Sequence, residues 1–290
     1  MAVDSGIQSE RDTLYGLFTN WAKQAEILDL IEDNVKMVVT WVDLCAPPGS
    51  SMESRKLACM DLCVVFFALD DYTGPDCEDL FARCHRILSG DLGAIGSPLT
   101  KAYAEVIHSL TMLGEDMSEY LQLRHALIER YSWRNQARKK SPPPTYAEYL
   151  ECRRTTIYTR QWLGVWEILE HCMLTQQERS SAPIRTMLMD IVDWQIYENE
   201  IVSIQRDSVR GELNLVVLFM NEQHIDINAA AGQIEALQNQ IGGRFEQALR
   251  ELGTSADNTR LRRFQQILDR CYHGAIEINN VALGRYSRQR

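Results

Sequence analysis

At 290 residues the chain is long enough for one large domain or two ordinary ones, and its 45% apolar, 24% charged composition is that of a soluble globular protein. A net charge of −10 with no basic stripe argues against a general nucleic-acid binder. The longest apolar run, around Leu62–Leu69, is far short of the ~20 residues of a membrane span. The opening MAVDSGIQSERD has neither the basic nor the apolar region of a signal peptide, so a cytoplasmic location is expected.

Taken in order, the chain reads as helix almost throughout. Segment 8–44 repeats apolar residues at helical spacing (Leu14, Leu17, Phe18, Trp21, Ile27, Leu30, Ile31) and stops at the loop APPGSS. Segment 52–71 is a helix, 77–88 a short helix closed by SGDLGAIGSP, and 99–135 a long helical region bent or broken once. KKSPPPT at 139–145 is a helix-to-helix loop rather than a domain boundary. Thr145, with Glu148 three residues on, caps the helix that follows. A helix over 160–173 carries Trp162 and Trp166, and Pro183 opens a long one running to 208. Segments 212–222, 225–252 and 257–272 complete a single all-α domain over 1–290. The eight cysteines form no CxxC pair and read as reduced thiols.

The informative stretch is CVVFFALDDYTGPDCED at 63–79, where an apolar run ends in Asp70 and Asp71. A buried, unpaired carboxylate costs several kcal/mol, so it needs a basic partner or a hard cation. The neighbouring sequence offers little base, which makes a cation the expectation. The helix after Pro183 holds matching donors in NEIVSIQRD. Asn199, Ser203 and Asp207 stand at i, i+4 and i+8, and at ~100° per residue each step drifts only ~40°, so the three share a face. Amide, hydroxyl and carboxylate oxygens suit Mg²⁺, with substrate phosphates completing its shell. Arg206 beside them is placed to reach a phosphate. On spacing alone, a solvated polar face reads equally well.

ALDDYTGPD and NEIVSIQRD followed by GELNLVV resemble the two metal-binding motifs of the bacterial class I terpene synthases (terpene cyclases). Two further elements match in order. Arg153 stands forty-six residues before Asn199, where that family has a diphosphate-sensing arginine, and Arg285–Tyr286 resemble its terminal diphosphate-closing pair. The matching points run from Phe66 to Tyr286. The chain departs from the pattern in three places: Gly74 and Pro75 occupy the usual positions of a third acid, Asp207 replaces a glutamate, and Asn279 replaces an aromatic residue. Asp70 is therefore taken as the main ligand of the first motif, with Asp71 supporting and Asp76 open.

The resemblance implies an α-helical bundle of the class I terpenoid synthase type around a central apolar cavity. It implies Mg²⁺, three ions in the family, held by Asp70 on one side and by Asn199, Ser203 and Asp207 on the other. Arg153, Arg206, Arg285 and Tyr286 would bind the diphosphate of a farnesyl (C15) or geranylgeranyl (C20) substrate, and Phe66 and Trp162 would face the carbocation. The product would be a terpene hydrocarbon or alcohol. A homodimer is allowed but not required. A prenyl-elongating enzyme would carry a second Asp-rich repeat in place of the Asn-Ser-Asp face, and a head-to-head condensing synthase would carry paired DxxxD motifs. A helical scaffold, or an inactive paralogue with a decayed site, would show no metal-dependent turnover.

Overall fold

The computed structural model describes residues 2–70, 72, 74, 76–138, 140–255 and 258–280, without the side chains of 2–8, 67, 254, 255, 279 and 280. Asp71, Arg285 and Tyr286 of the expected site lie outside the described residues. Among the described residues there is no strand, as expected of an all-α chain, and no helix is long and apolar enough to cross a membrane.

Fourteen α-helices are described: α1 (Ala2–Gln24), α2 (Leu28–Ile31), α3 (Val35–Cys45), α4 (Met52–Leu62), α5 (Cys77–Leu88), α6 (Pro98–Thr111), α7 (Ser118–Ala137), α8 (Tyr146–Thr156), α9 (Thr159–Leu169), α10 (Gln176–Ser180), α11 (Ala182–Arg210), α12 (Leu215–Gln223), α13 (Ile227–Ser255) and α14 (Thr259–Asn280). The boundaries follow local chemistry. Ser97 and Thr145 form capping boxes at the starts of α6 and α8, and Pro183 sits in the first turn of α11. The 8–44 segment divides into three helices, and 99–135 breaks once, between α6 and α7.

One expectation changes. The helix that should run from 52 to 71 stays α only to Leu62; Cys63–Leu69 is a π-helix. The Asp70 amide accordingly donates five residues back, to the Val65 carbonyl at 3.2 Å. Asp61 and Asp70 are nine residues apart, which in a plain α-helix at ~100° per residue puts them on opposite faces. The wide turn removes part of that rotation, and both carboxylates meet arginines of the same helix, α7: Asp61 with Arg124, Asp70 with Arg134.

A contiguous apolar core joins all the long helices, with α11 packed along α13 and α14 along α3. Inside it lies a fully buried ion pair. The Asp61 and Arg124 side chains are both 0% exposed and paired. Tyr120 donates to Asp61 at 2.9 Å, and the Tyr158 hydroxyl both donates to Asp61 and accepts from Arg124 (3.1 Å). Tyr158 separates α8 from α9 with φ +73°, an unfavourable backbone for a bulky residue, and this pair of hydroxyl bonds anchors it there.

Where α5 packs on α7, His85 Nδ1 and His125 Nδ1 are 2.7 Å apart, so one ring donates and the other accepts. Burial lowers the His85 pKa, His125 lowers it further, and Glu129 opposes both. The folded state therefore favours neutral His85. Its contribution is present above the unfolded value of ~6.5 and is lost as pH falls below it, where the unfolded chain binds the proton more readily. Thermal melts at pH 7.5 and 5.5 should show a smaller pH-dependent drop for His85→Gln than for the parent; identical drops would remove this pair from the account.

Candidate active site

Asp70 and Asn199 line one cavity of about 400 Å³, together with Phe66, Arg153, Arg206 and Asp207 of the expected site. Ser203 stands behind this wall, buried, with its hydroxyl donating to Asp207 Oδ2 at 2.5 Å. Trp162 lines a smaller pocket deeper in, which shares Phe66 with the mouth. Asp76 is elsewhere: it accepts from the Tyr72 hydroxyl at 2.8 Å and lines a separate cleft with Ile27, Leu30 and Leu80. Its candidacy as a ligand is withdrawn on that ground.

The cavity is expected to be apolar behind a metal-binding mouth; the mouth is a ring of charge with more arginines than expected. Arg134, Arg138, Arg153, Arg206 and Arg210 line it, against Asp70, Glu200, Asp207 and Glu212. Arg134 Nη1 lies 2.8 Å from Asp70 Oδ1 and its Nη2 donates to the Asp70 carbonyl at 3.0 Å. Sequence reading found no base near Asp70 because Arg134 arrives from α7, sixty-four positions along the chain. Arg206 binds Asp207 Oδ1 through Nε and Nη2 at 2.9 and 2.8 Å, and Arg138 meets Glu212 at 3.3 Å. A signal for the missed arginines was present: Arg134 and Arg138 are one turn apart in WRNQARKK, a basic cluster in an acidic chain.

Arg153 knits the two walls. Its Nε donates to Glu200 Oε1 at 2.7 Å, its Nη2 to Asn199 Oδ1 at 3.0 Å and its Nη1 to Thr156 at 3.3 Å. Burial pushes the Glu200 carboxyl up, against the pull of Arg153 and of the Leu215 amide that donates to it at 2.7 Å.

Asn214, in the GELNLVV stretch, organises the second motif from behind. Gly211 adopts φ +66° and closes α11, with the Glu212 amide returning to the Asp207 carbonyl at 2.8 Å. The chain folds back so that Asn214 Nδ2 reaches the Glu200 carbonyl at 2.9 Å, Asp207 Oδ2 at 3.1 Å and Ser203 Oγ at 3.3 Å. Asn214 Oδ1 meanwhile accepts from the Val216 amide at 2.9 Å, capping α12.

Below the mouth the surroundings turn aromatic. Phe66 lies 5.9 Å from Trp41 and 6.0 Å from Tyr158, and Tyr158 lies 6.4 Å from Trp162, between ring centroids. The pocket they enclose with Leu62 and Ile157 is only about 20 Å³, and a second, bounded by Trp41, Trp194 and Ala275, about 10 Å³. Trp166 is fully buried at 5.5 Å from Trp162 and lines neither; Tyr197 is taken up with the Tyr146 hydroxyl at 3.2 Å.

Among the described residues no group of three or more His, Cys, Asp or Glu is placed to hold a metal. The donors that converge are mixed: a carboxylate on α4's π extension, and an amide, a hydroxyl and a second carboxylate on α11. All are oxygens, the ligand type of a hard divalent cation.

The sequence profile described as terpene synthase family 2, C-terminal metal binding, matches residues 61–241. Pentalenene synthase of Streptomyces avermitilis is 27% identical over 201 residues, spanning 66% of this chain and 59% of that protein, so the chain covers less than two thirds of this curated relative. Linalool/nerolidol synthase from Streptomyces clavuligerus superposes with a TM-score of 0.79 at 18% identity, over 92% of this chain and 94% of that one. The 2-methylisoborneol synthase from Streptomyces coelicolor A3(2), solved in complex with Mg²⁺ and geranyl-S-thiolodiphosphate, gives 0.83 at 14% identity, over 97% and 93%.

Proposed function

We propose, for a chain that belongs to the terpene synthase family, that it is a class I terpene synthase acting on an allylic prenyl diphosphate. The observation that carries this reading is the shared mouth: Asp70 on one side, Asn199 and Asp207 on the other, and five arginines between them. Mg²⁺ would be held by Asp70 and by Asn199, Ser203 and Asp207, whose oxygens fit it. Bound there, it supplies charge neutralisation for a departing diphosphate.

The chain's own residues do the rest. Asp70, Glu200, Asp207 and Glu212 are each held by an arginine. A diphosphate offers those guanidinium forks stronger acceptors, and each arginine that turns to it releases a carboxylate. Arg153 and Arg206 lie nearest the Asn-Ser-Asp face and take this role, as Arg285 and Tyr286 would from the chain end. Phe66 and Trp162 present π faces, which attract a cation. A pocket of about 20 Å³ has room for about one water, so a prenyl tail enters only by parting the aromatic lining. Once the tail is in, those rings exclude water from the cation.

Farnesyl and geranylgeranyl diphosphate are the expected substrates. The test is to incubate purified protein with Mg²⁺ and geranyl, farnesyl or geranylgeranyl diphosphate, measuring diphosphate release and identifying the hydrocarbon or alcohol. Turnover should be present with Mg²⁺ and absent in EDTA. No turnover of any of them, nor of a pre-cyclised C20 diphosphate, would leave a helical binding protein as the better reading.

A further inference from the structure

A second cavity, of about 230 Å³, is lined from α8, α9, α10 and α11, and the proposed reaction does not use it. Four arginines line it: Arg154, Arg160, Arg179 and Arg185. Arg154 is the residue after Arg153, so adjacent side chains of α8 serve the two cavities.

The four cations are unequally matched. Arg154 holds Asp193 through Nε and Nη2 at 2.8 and 2.9 Å. Arg179 is fully engaged, by Glu119 at 2.5 Å and Glu167 at 2.7 Å. Arg160 shares that same Glu119 through Nη2 at 2.6 Å, and its Nη1 is buried with no hydrogen-bond partner. Arg185, exposed in the first turns of α11, makes no side-chain ion pair or hydrogen bond with the described residues. Burial lowers the Arg160 pKa and Arg179 lowers it further, against the opposing pull of Glu119 and Glu167. The arginine cluster sits in a chain of net charge −10.

Apart from Asp193, which Arg154 holds, the remaining lining is apolar. Leu188, Met189 and Val192 follow Arg185 at i+3, i+4 and i+7, on one face of α11, and Met189 is 52% exposed. A cationic end thus continues into an apolar shelf. A carboxylate such as Glu119 offers each of two guanidinium groups a single oxygen, whereas a phosphate has enough acceptor oxygens to meet two forks on different helices at once. The cavity is smaller than the ~300–1,000 Å³ typical of sites for drug-sized ligands, which limits the tail to a few carbons.

We propose that this groove binds a phosphate or diphosphate ester with a short apolar tail, its head on Arg160 and Arg185 and its tail on Leu188, Met189 and Val192. Occupancy ties α9 to α11. The site stands independently of the catalytic reading, because no residue of the mouth takes part in it.

The probe is isopentenyl diphosphate, a five-carbon diphosphate that is not allylic, titrated calorimetrically in EDTA so that metal-dependent binding at the mouth is silent. The folded chain should bind it, and Arg160→Gln/Arg185→Gln should weaken binding at least about tenfold, since each charge-assisted contact contributes more than that. Arg206→Gln/Arg210→Gln, at the mouth, should leave it unchanged. Met189→Ser should weaken the ester and spare inorganic diphosphate. Circular dichroism of each variant checks the fold. Loss of binding in the mouth variant alone, or no binding at millimolar probe, overturns the proposal; equal affinity for inorganic diphosphate overturns the ester assignment.

Discussion

Asn199→Ala is expected to lower turnover by roughly a thousandfold or more while leaving helicity unchanged. Asn199 is half-buried at the mouth, and its side chain supports no helix of the core. Losing one ligand of a charge-neutralising metal costs several kcal/mol of transition-state stabilisation, at about 1.4 kcal/mol per factor of ten. Because Asn199 Oδ1 also accepts from Arg153, a second measurement separates the two roles. A lost metal ligand raises the Mg²⁺ concentration needed for half-maximal rate. A merely misplaced Arg153 raises KM for the diphosphate at unchanged Mg²⁺ demand. Full activity in this variant would remove α11 from the metal site.

The largest effect on stability is expected at Asp61, well below the mouth. Asp61→Asn keeps the shape and leaves the fully buried Arg124 without a counter-charge. Breaking a buried pair from one side costs about 3–5 kcal/mol, a melting temperature lower by roughly 6–15 °C. Asp61→Leu combined with Arg124→Met removes the stranded charge and recovers part of that loss. It cannot recover all, because Tyr120 and Tyr158 lose the partners of their hydroxyls. Asp79→Asn, which breaks the exposed pair with Arg83, is the control and should leave the midpoint in place. If Asp61→Asn melts with the parent, the buried pair is not the anchor of the α8–α9 break.

What could be read from the residues was whatever lies within a few turns of itself. The Asn199–Ser203–Asp207 face is helical arithmetic, and the capping boxes at Ser97 and Thr145 are local chemistry. The all-α architecture followed from periodicity and proline placement. What could not be read were pairings between distant segments. Arg134 on Asp70 and Arg124 on Asp61 join helices more than sixty positions apart, and neither arginine carries a local mark of its partner. At the mouth the motifs named the ligands and two of the arginines, but not Arg134, Arg138 or Arg210, which complete the ring of charge. Asn214 was within a quoted motif, yet its function depends on the reversal at Gly211, visible only once α11 ends.

The π-helix at Cys63–Leu69 bears on how this chain is compared with others. A wide turn is an α-helix carrying one surplus residue, so its presence sets a phase for everything after it. Asp61 and Asp70 can both address α7 only because that phase is in place. The surplus residue therefore belongs to the first motif as much as the aspartates do, although no single position between 63 and 69 bears its identity. An alignment that matches Asp70 by letter, while closing a gap upstream, preserves the motif and loses the geometry. Length, in this segment, carries information that composition does not display.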